Sequence, residues 1–129
     1  MGRPRASSSR RDLGVNPKPL RGCLYWVAIP GEPGEKQRSA LVVSVDARNR
    51  LANDVLVIPA SRTLRVAPTH VRLRKGTVGI RMDSVLKCEQ ITTLPKGLLS
   101  ESALGGPLSA GLLEEVERGV LRAIGVPID

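Results

Sequence analysis

From Gly22 onward the chain is written in short apolar runs separated by polar or Gly/Pro breaks, the spacing of a small β-rich domain. Cys23 to Ile29 is the first run, rich in β-branched and aromatic side chains. Pro30-Gly31-Glu32-Pro33-Gly34 breaks it, because proline cannot donate to a ladder and glycine weakens one. Ala40 to Val45 is almost continuously apolar and predicts a strand buried on both faces. Asp46 to Asn53 is polar and predicts a turn. Val55 to Pro59 predicts a third strand, Ser61 to Ala67 a basic loop, and Thr69 to Leu73 a fourth strand. Lys75-Gly76 is a turn signal, after which Ile80 to Leu86 and Cys88 to Leu94 complete the β region.

The last segment has a different period. Leu112, Leu113, Val116, Val120, Leu121 and Ile124 recur at intervals of three to four and predict one helix, capped by Ser109 and ended by Gly125 and Pro127. Glu114 and Glu115 near its start and Arg118 and Arg122 near its end complement the helix dipole, and Glu114 and Arg118 form a favourable i,i+4 pair. Short strands followed by one helix predict an α+β domain, mainly β with a C-terminal helix packed on a bent sheet.

Residues 1–18 carry no such pattern. Arg, Ser and Pro dominate, so the segment cannot bury enough surface to offset its ordering entropy; it predicts a disordered basic tail before a single folded domain at 19–129. The net charge is +8, about half of it in that tail. A basic domain with a basic tail favours a polyanionic partner, since each neutralised phosphate releases condensed counterions.

Composition also removes options. With no Phe, one Tyr and one Trp, the core must be aliphatic and no aromatic platform exists for stacking RNA bases. A single histidine excludes a two-histidine ribonuclease mechanism within one subunit. There is no Walker-type phosphate loop and no Cys/His cluster for zinc. Cys23 and Cys88 lie in apolar runs and predict buried free thiols. No apolar run approaches the roughly 20 residues of a membrane helix. The chain therefore reads as soluble and cytoplasmic, with no membrane partner.

What remains for chemistry is Arg, Lys, Glu and hydroxyls. Arg38 stands between the Pro/Gly break and the apolar second strand, and a guanidinium holds two phosphate oxygens at once without deprotonating. Ser61 ends the third strand. Taken singly, these are a loop arginine and a turn-forming serine. In order, however, Arg21-Gly22-Cys23-Leu24-Tyr25-Trp26-Val27, Gly34 to Ser44, Val55-Leu56-Val57-Ile58-Pro59-Ala60-Ser61 and Pro68-Thr69-His70-Val71 resemble the MazF/PemK toxins over residues 20–126.

That resemblance implies an SH3-like small β-barrel and a sequence-specific endoribonuclease, the toxin of a type II toxin–antitoxin system. It implies cleavage of single-stranded RNA by 2′-hydroxyl attack, leaving a 2′,3′-cyclic phosphate and a 5′-hydroxyl, without a metal or cofactor. It further implies a homodimer, inhibition by an acidic antitoxin, and DNA binding through the antitoxin complex. By the same resemblance Arg38 and Ser61 are catalytic, and Glu35 is an acidic loop residue suited to general base. Lys87 and Glu89, flanking Cys88, match an acid–base pair and would project from one face of a strand. Gln90 matches a base contact, and Arg62, Arg65, His70 and Gln37 are candidate RNA contacts. The chain departs from the family pattern at Cys23 (usually Asp), Ser39 (usually Pro) and Thr92-Thr93 (usually Arg-Thr). A non-catalytic barrel, either a CcdB-like gyrase poison or an RNA holder, is the alternative.

Overall fold

One eight-residue strand organises the molecule by serving three neighbours. A computed structural model describes residues 19–28 and 37–128, with the backbone but not the side chain of Gln37. The expected tail at 1–18, the end of the first run at Ile29 and the candidate base Glu35 lie outside the described residues. Six antiparallel strands are present: β1 (Leu24–Ala28), β2 (Gln37–Val42), β3 (Asp54–Ser61), β4 (His70–Leu73), β5 (Ser84–Lys87) and β6 (Thr92–Pro95). Their order is β1-β2-β3-β5-β4, with β6 also on β3. β3 pairs with β6 over Asp54–Val57, with β2 over Val57–Pro59 along its other edge, and with β5 at Ala60 and Ser61.

The expected barrel is corrected in one respect: among the described residues the sheet is bent but does not close on itself. The outer edge of β1 is instead covered by the segment at 99–108. Ser100, Leu104 and Leu108 donate backbone N–H groups to the carbonyls of Trp26, Leu24 and Gly22 at 2.9, 2.8 and 2.9 Å. Such cover removes a row of unpaired groups that would otherwise template another strand.

Both faces of the sheet are packed. On one, Leu24, Leu41, Ile58, Val71, Leu73 and Leu86 meet Val116 of the C-terminal helix α2 (Ala110–Ala123). On the other, Tyr25, Val27, Ala40, Val42, Val55 and Val57 pack with Leu99. The apolar run in β2 is thus buried on both sides, as its sequence predicts. Each buried aliphatic side chain contributes about 1.5–3 kcal/mol relative to exposure.

Ser109 caps α2 as expected, accepting from the Leu112 N–H at 3.2 Å. Gly119 lies so close to the turn after β5 that an added Cβ would sit 2.7 Å from Cys88 Sγ. The far end of the predicted stripe does not reach the sheet, and Ile124 is exposed. Cys23 and Cys88 are buried and unbridged, and burial pushes the Cys88 thiol up to about 11.

Three elements differ from the sequence expectation. Asp46 to Asn53 contains a short helix, α1 (Asp46–Leu51), held by Asn49 rather than by an apolar face. Asn49 is fully buried, donates to the carbonyls of Pro19 and Ser44 at 3.2 and 2.9 Å, and accepts from the Ser44 hydroxyl. A buried amide so satisfied is stable where a partly satisfied one is not. The strand expected from Ile80 begins only at Ser84, because Asp83 turns to accept from Arg72 Nη2 and the Lys75 N–H, both at 2.7 Å. Cys88 to Leu94 is broken by a 3-10 turn at Cys88–Gln90 before β6 begins at Thr92. Among the described residues no helix is long and apolar enough to cross a membrane.

Candidate active site

Register brings the candidate residues together. In β2, Arg38 pairs with Val27 of β1, and two positions on, Ala40 pairs with Pro59 of β3. The β2–β3 pairing ends there; Arg38 lies two residues beyond Ala40 on β2, and Ser61 two residues beyond Pro59 on β3, where β3 has turned to pair with β5. Side chains alternate across a strand, so both share the face of Ala40 and Pro59, away from α2. Both residues are thus next to the paired Ala40 and Pro59, a neighbourhood a long arginine and a short hydroxyl can share.

Ser61 ends β3 because its Oγ accepts from the Thr63 N–H at 3.1 Å, turning the chain into the loop at 62–69. That bond uses a lone pair and leaves the hydroxyl proton available to a ligand oxygen. Ser61 pairs with Val85 of β5, which in turn pairs with Arg72 of β4. Lys87 lies two residues beyond Val85 on the same face, diagonal to Ser61 and opposite His70. Arg38, Ser61, Lys87 and Arg72 therefore tend toward one face, basic in balance although Arg72 is paired with Asp83. Two shallow hollows flank the Arg38–Ser61 pair: an apolar one walled by Val27, Ala40, Val57, Pro59 and Leu94, and another walled by Leu64, Arg65, His70, Arg72 and Val85.

The remaining candidates are placed differently. Glu89 does not follow Lys87 along a strand; it sits in the 3-10 turn, so the one-face pairing expected of these two is corrected. Its carboxylate accepts from the Thr69 hydroxyl at 2.7 Å and lies 3.0 Å from His70 Nε2. Partial burial works to raise the Glu89 pKa, but the bonds from Thr69 and His70 outweigh it and hold the group below its ordinary value. Such an acid is a weaker proton acceptor than a free one. Arg62, Arg65 and Gln90 are exposed at the rim, and the Gln37 backbone pairs with Ala28 at the start of β2.

Arg72 was not among the sequence candidates, although the alternation His70-Val71-Arg72-Leu73 sets it on the His70 face. It is paired with Asp83, whose carboxyl that bond holds below its usual value. Among the described residues no group of three or more His, Cys, Asp or Glu is placed to hold a metal ion. The chemistry on offer is that of a fixed cationic face with one hydroxyl: it can bind a phosphodiester and stabilise added negative charge on it.

Known proteins place this chain in a family. Residues 20–124 match the family of PemK-like, MazF-like toxins of type II toxin–antitoxin systems. The chain is 33% identical over 110 residues to endoribonuclease MazF6 of Mycobacterium tuberculosis, covering 81% of this chain and 95% of that protein. Endoribonuclease MazF2 of Mycobacterium bovis is similar to the same degree. The fold superimposes with a TM-score of 0.70 on a mycobacterial endoribonuclease solved with its cognate antitoxin, at 27% identity over 86% of this chain and 99% of that one. The open cationic face, the bent sheet and α2 thus occur together in a chain that belongs to the PemK-like, MazF-like toxins of type II toxin–antitoxin systems.

Proposed function

We propose that this toxin is an endoribonuclease that cuts single-stranded RNA on the face carrying Arg38 and Ser61. The observation that supports the proposal is the Ala40–Pro59 pairing of β2 with β3, since Arg38 and Ser61 each lie two residues beyond it and so, by alternation, tend toward its face. The names of the mycobacterial relatives, both endoribonucleases, support the same activity. Arg38 holds the scissile phosphate by two oxygens and stabilises the charge that builds when the neighbouring 2′-hydroxyl attacks phosphorus. Ser61 donates to one of the same non-bridging oxygens, adding to the stabilisation. Lys87, diagonal to Ser61, is placed to protonate the departing 5′-oxygen. The products are a 2′,3′-cyclic phosphate and a 5′-hydroxyl. Glu35, two residues before β2 in sequence, is the candidate acceptor for the 2′-hydroxyl proton. Arg62, Arg65 and Gln90 at the rim, with Gln37 at the loop end, contact flanking nucleotides, and the net charge of +8 favours the polyanion.

The toxin works in the cytoplasm as a homodimer and is restrained by an acidic antitoxin, in keeping with the mycobacterial neighbour solved with its cognate antitoxin. The test is incubation of purified protein with labelled mixed-sequence RNA in EDTA, beside Arg38→Ala. Fragments ending in cyclic phosphate, made by the wild type and nearly lost in the variant, are expected. Intact RNA with both proteins defeats the proposal.

A further inference from the structure

His70 is enclosed where its surroundings are open. Its side chain is 7% exposed, although the loop at 62–69 and the turn at Cys88–Gln90 beside it are largely exposed. Nδ1 lies 2.9 Å from the Arg65 carbonyl and Nε2 lies 3.0 Å from a Glu89 carboxylate oxygen. A carbonyl only accepts. The Glu89 carboxylate, held below its ordinary pKa and bonded by Thr69 at its other oxygen, is ionised at neutral pH and also only accepts. Both ring bonds exist together only when each nitrogen carries a proton, that is, as the imidazolium. A neutral ring must release one of them.

The two partners belong to the two rim segments. Within the loop the bonds are local: Thr63 N–H to Ser61 Oγ, Arg65 N–H to the Thr63 carbonyl and His70 N–H to the Ala67 carbonyl. The backbone bond from Cys88 N–H to the Thr69 carbonyl fastens only the loop's base to the turn, and Arg122 of α2 reaches the Pro68 carbonyl at 3.4 Å. The ring reaches further, to Arg65, near the middle of the loop.

We propose that His70 is a positioning residue, an imidazolium latch that fixes the basic loop at 62–69 to the Cys88–Gln90 turn and so presents Arg62, Arg65 and Gln90 to RNA at one spacing. This rests on the endoribonuclease reading above. The charged groups around the ring compete: Glu89 favours the second proton, while Lys87 opposite it in register, Arg72 two residues along the same face, and Arg65 and Arg122 oppose it. A bound phosphate chain covers those cations and favours the latched form. Affinity for RNA therefore falls as pH rises and the ring loses its second proton. It also falls at acid pH once Glu89 is protonated.

His70 is the chain's only histidine, so its ring ¹⁵N resonances need no assignment. The experiment follows them against pH in the free protein and measures, over the same range, binding of an uncleavable 2′-deoxy-substituted oligonucleotide and steady-state cleavage. Expected are loss of the second ring proton and about a tenfold loss of affinity at one common midpoint, the scale of one charge-assisted bond. His70→Ala should raise KM about tenfold, change kcat by less than about threefold, and remove the pH dependence. Glu89→Gln supplies the rescue, because its amide N–H can donate to an unprotonated Nε2, so its affinity should stay near wild type as pH rises. Circular dichroism confirms that each variant is folded. The latch is overturned if ring and affinity titrate separately, or if His70→Ala lowers kcat about a hundredfold at unchanged KM. A wild type that binds RNA with the expected pH profile but never cuts it defeats the proposed chemistry and leaves the latch standing.

Discussion

On the face under α2, Leu24, Leu41, Ile58 and Leu86 are at most 1% exposed; on the other, Arg38, Ser61, Lys87 and Arg72 take alternate positions near the ends of β2, β3, β5 and β4. β2, β3 and β5 contribute to both faces, on alternate positions. The first face is closed by a helix that brings its Gly119 against Cys88; the second packs an apolar cluster against Leu99 and carries its charge at the strand ends beyond it. One residue of slip would exchange the two sets, so the packing that holds the core in register also holds Arg38 and Ser61 toward the same face. Scaffold and site are thus coupled through geometry but separable by substitution, and each prediction below presses on that separation.

The largest effect is expected on the open face. Arg38→Ala should lower kcat by about a hundredfold to a thousandfold, the usual result of removing one fixed charge stabiliser, while changing unfolding free energy by less than about 1 kcal/mol. Single-turnover cleavage and urea denaturation measure the two. Leu86→Ala, on the helix face, should do the reverse: a loss of about 2–5 kcal/mol in stability, with cleavage per folded molecule nearly retained. Gly119→Ala should cost about 1–3 kcal/mol, because its new methyl meets Cys88 Sγ inside van der Waals contact and α2 must shift. Should either substitution abolish cleavage while the protein remains folded, the separation of faces would be wrong.

A smaller effect follows pH. Arg72 holds the Asp83 carboxyl below its ordinary value, and Thr69 and His70, against the opposing effect of burial, do the same for Glu89. A carboxylate with a depressed native pKa contributes stability that is complete above its unfolded value, about 4 for these groups, and is lost as pH falls through the lower native value. Thermal melts of wild type should therefore decline on acidification, and Asp83→Asn with Glu89→Gln should flatten that limb. The smallest signal is chemical. Cys88, buried with its thiol pushed up to about 11, should react with a disulfide reagent only as fast as the protein unfolds.

The sequence made the periodic elements legible, and the reasons are local. β1 to β4 and α2 declare themselves by alternation or by a three-to-four repeat, and the Ser109 cap needs only its own neighbours. α1 was hidden because its stability comes from Asn49 bonding to Pro19 and Ser44, contacts no periodicity encodes. The late start of β5 turns on Asp83 reaching Arg72 eleven residues away, and the turn at Cys88–Gln90 lies where Gly119 of α2 packs close. For the site, Arg38 and Ser61 were nameable by resemblance, but their shared face is a property of strand register. Glu89 looked like a strand neighbour of Lys87 only while the turn between them was invisible. His70 and Glu89, nineteen residues apart, meet only in three dimensions.

The central claim is that Arg38 and Ser61 act on one phosphate. A double-mutant cycle tests it directly, with kcat/KM measured for wild type, Arg38→Ala, Ser61→Ala and the double variant on one RNA. Groups serving the same transition state are strongly non-additive, so the double variant should be far less impaired than the product of the two single losses predicts. Losses that simply multiply, or a Ser61→Ala variant as fast as wild type, would contradict the account.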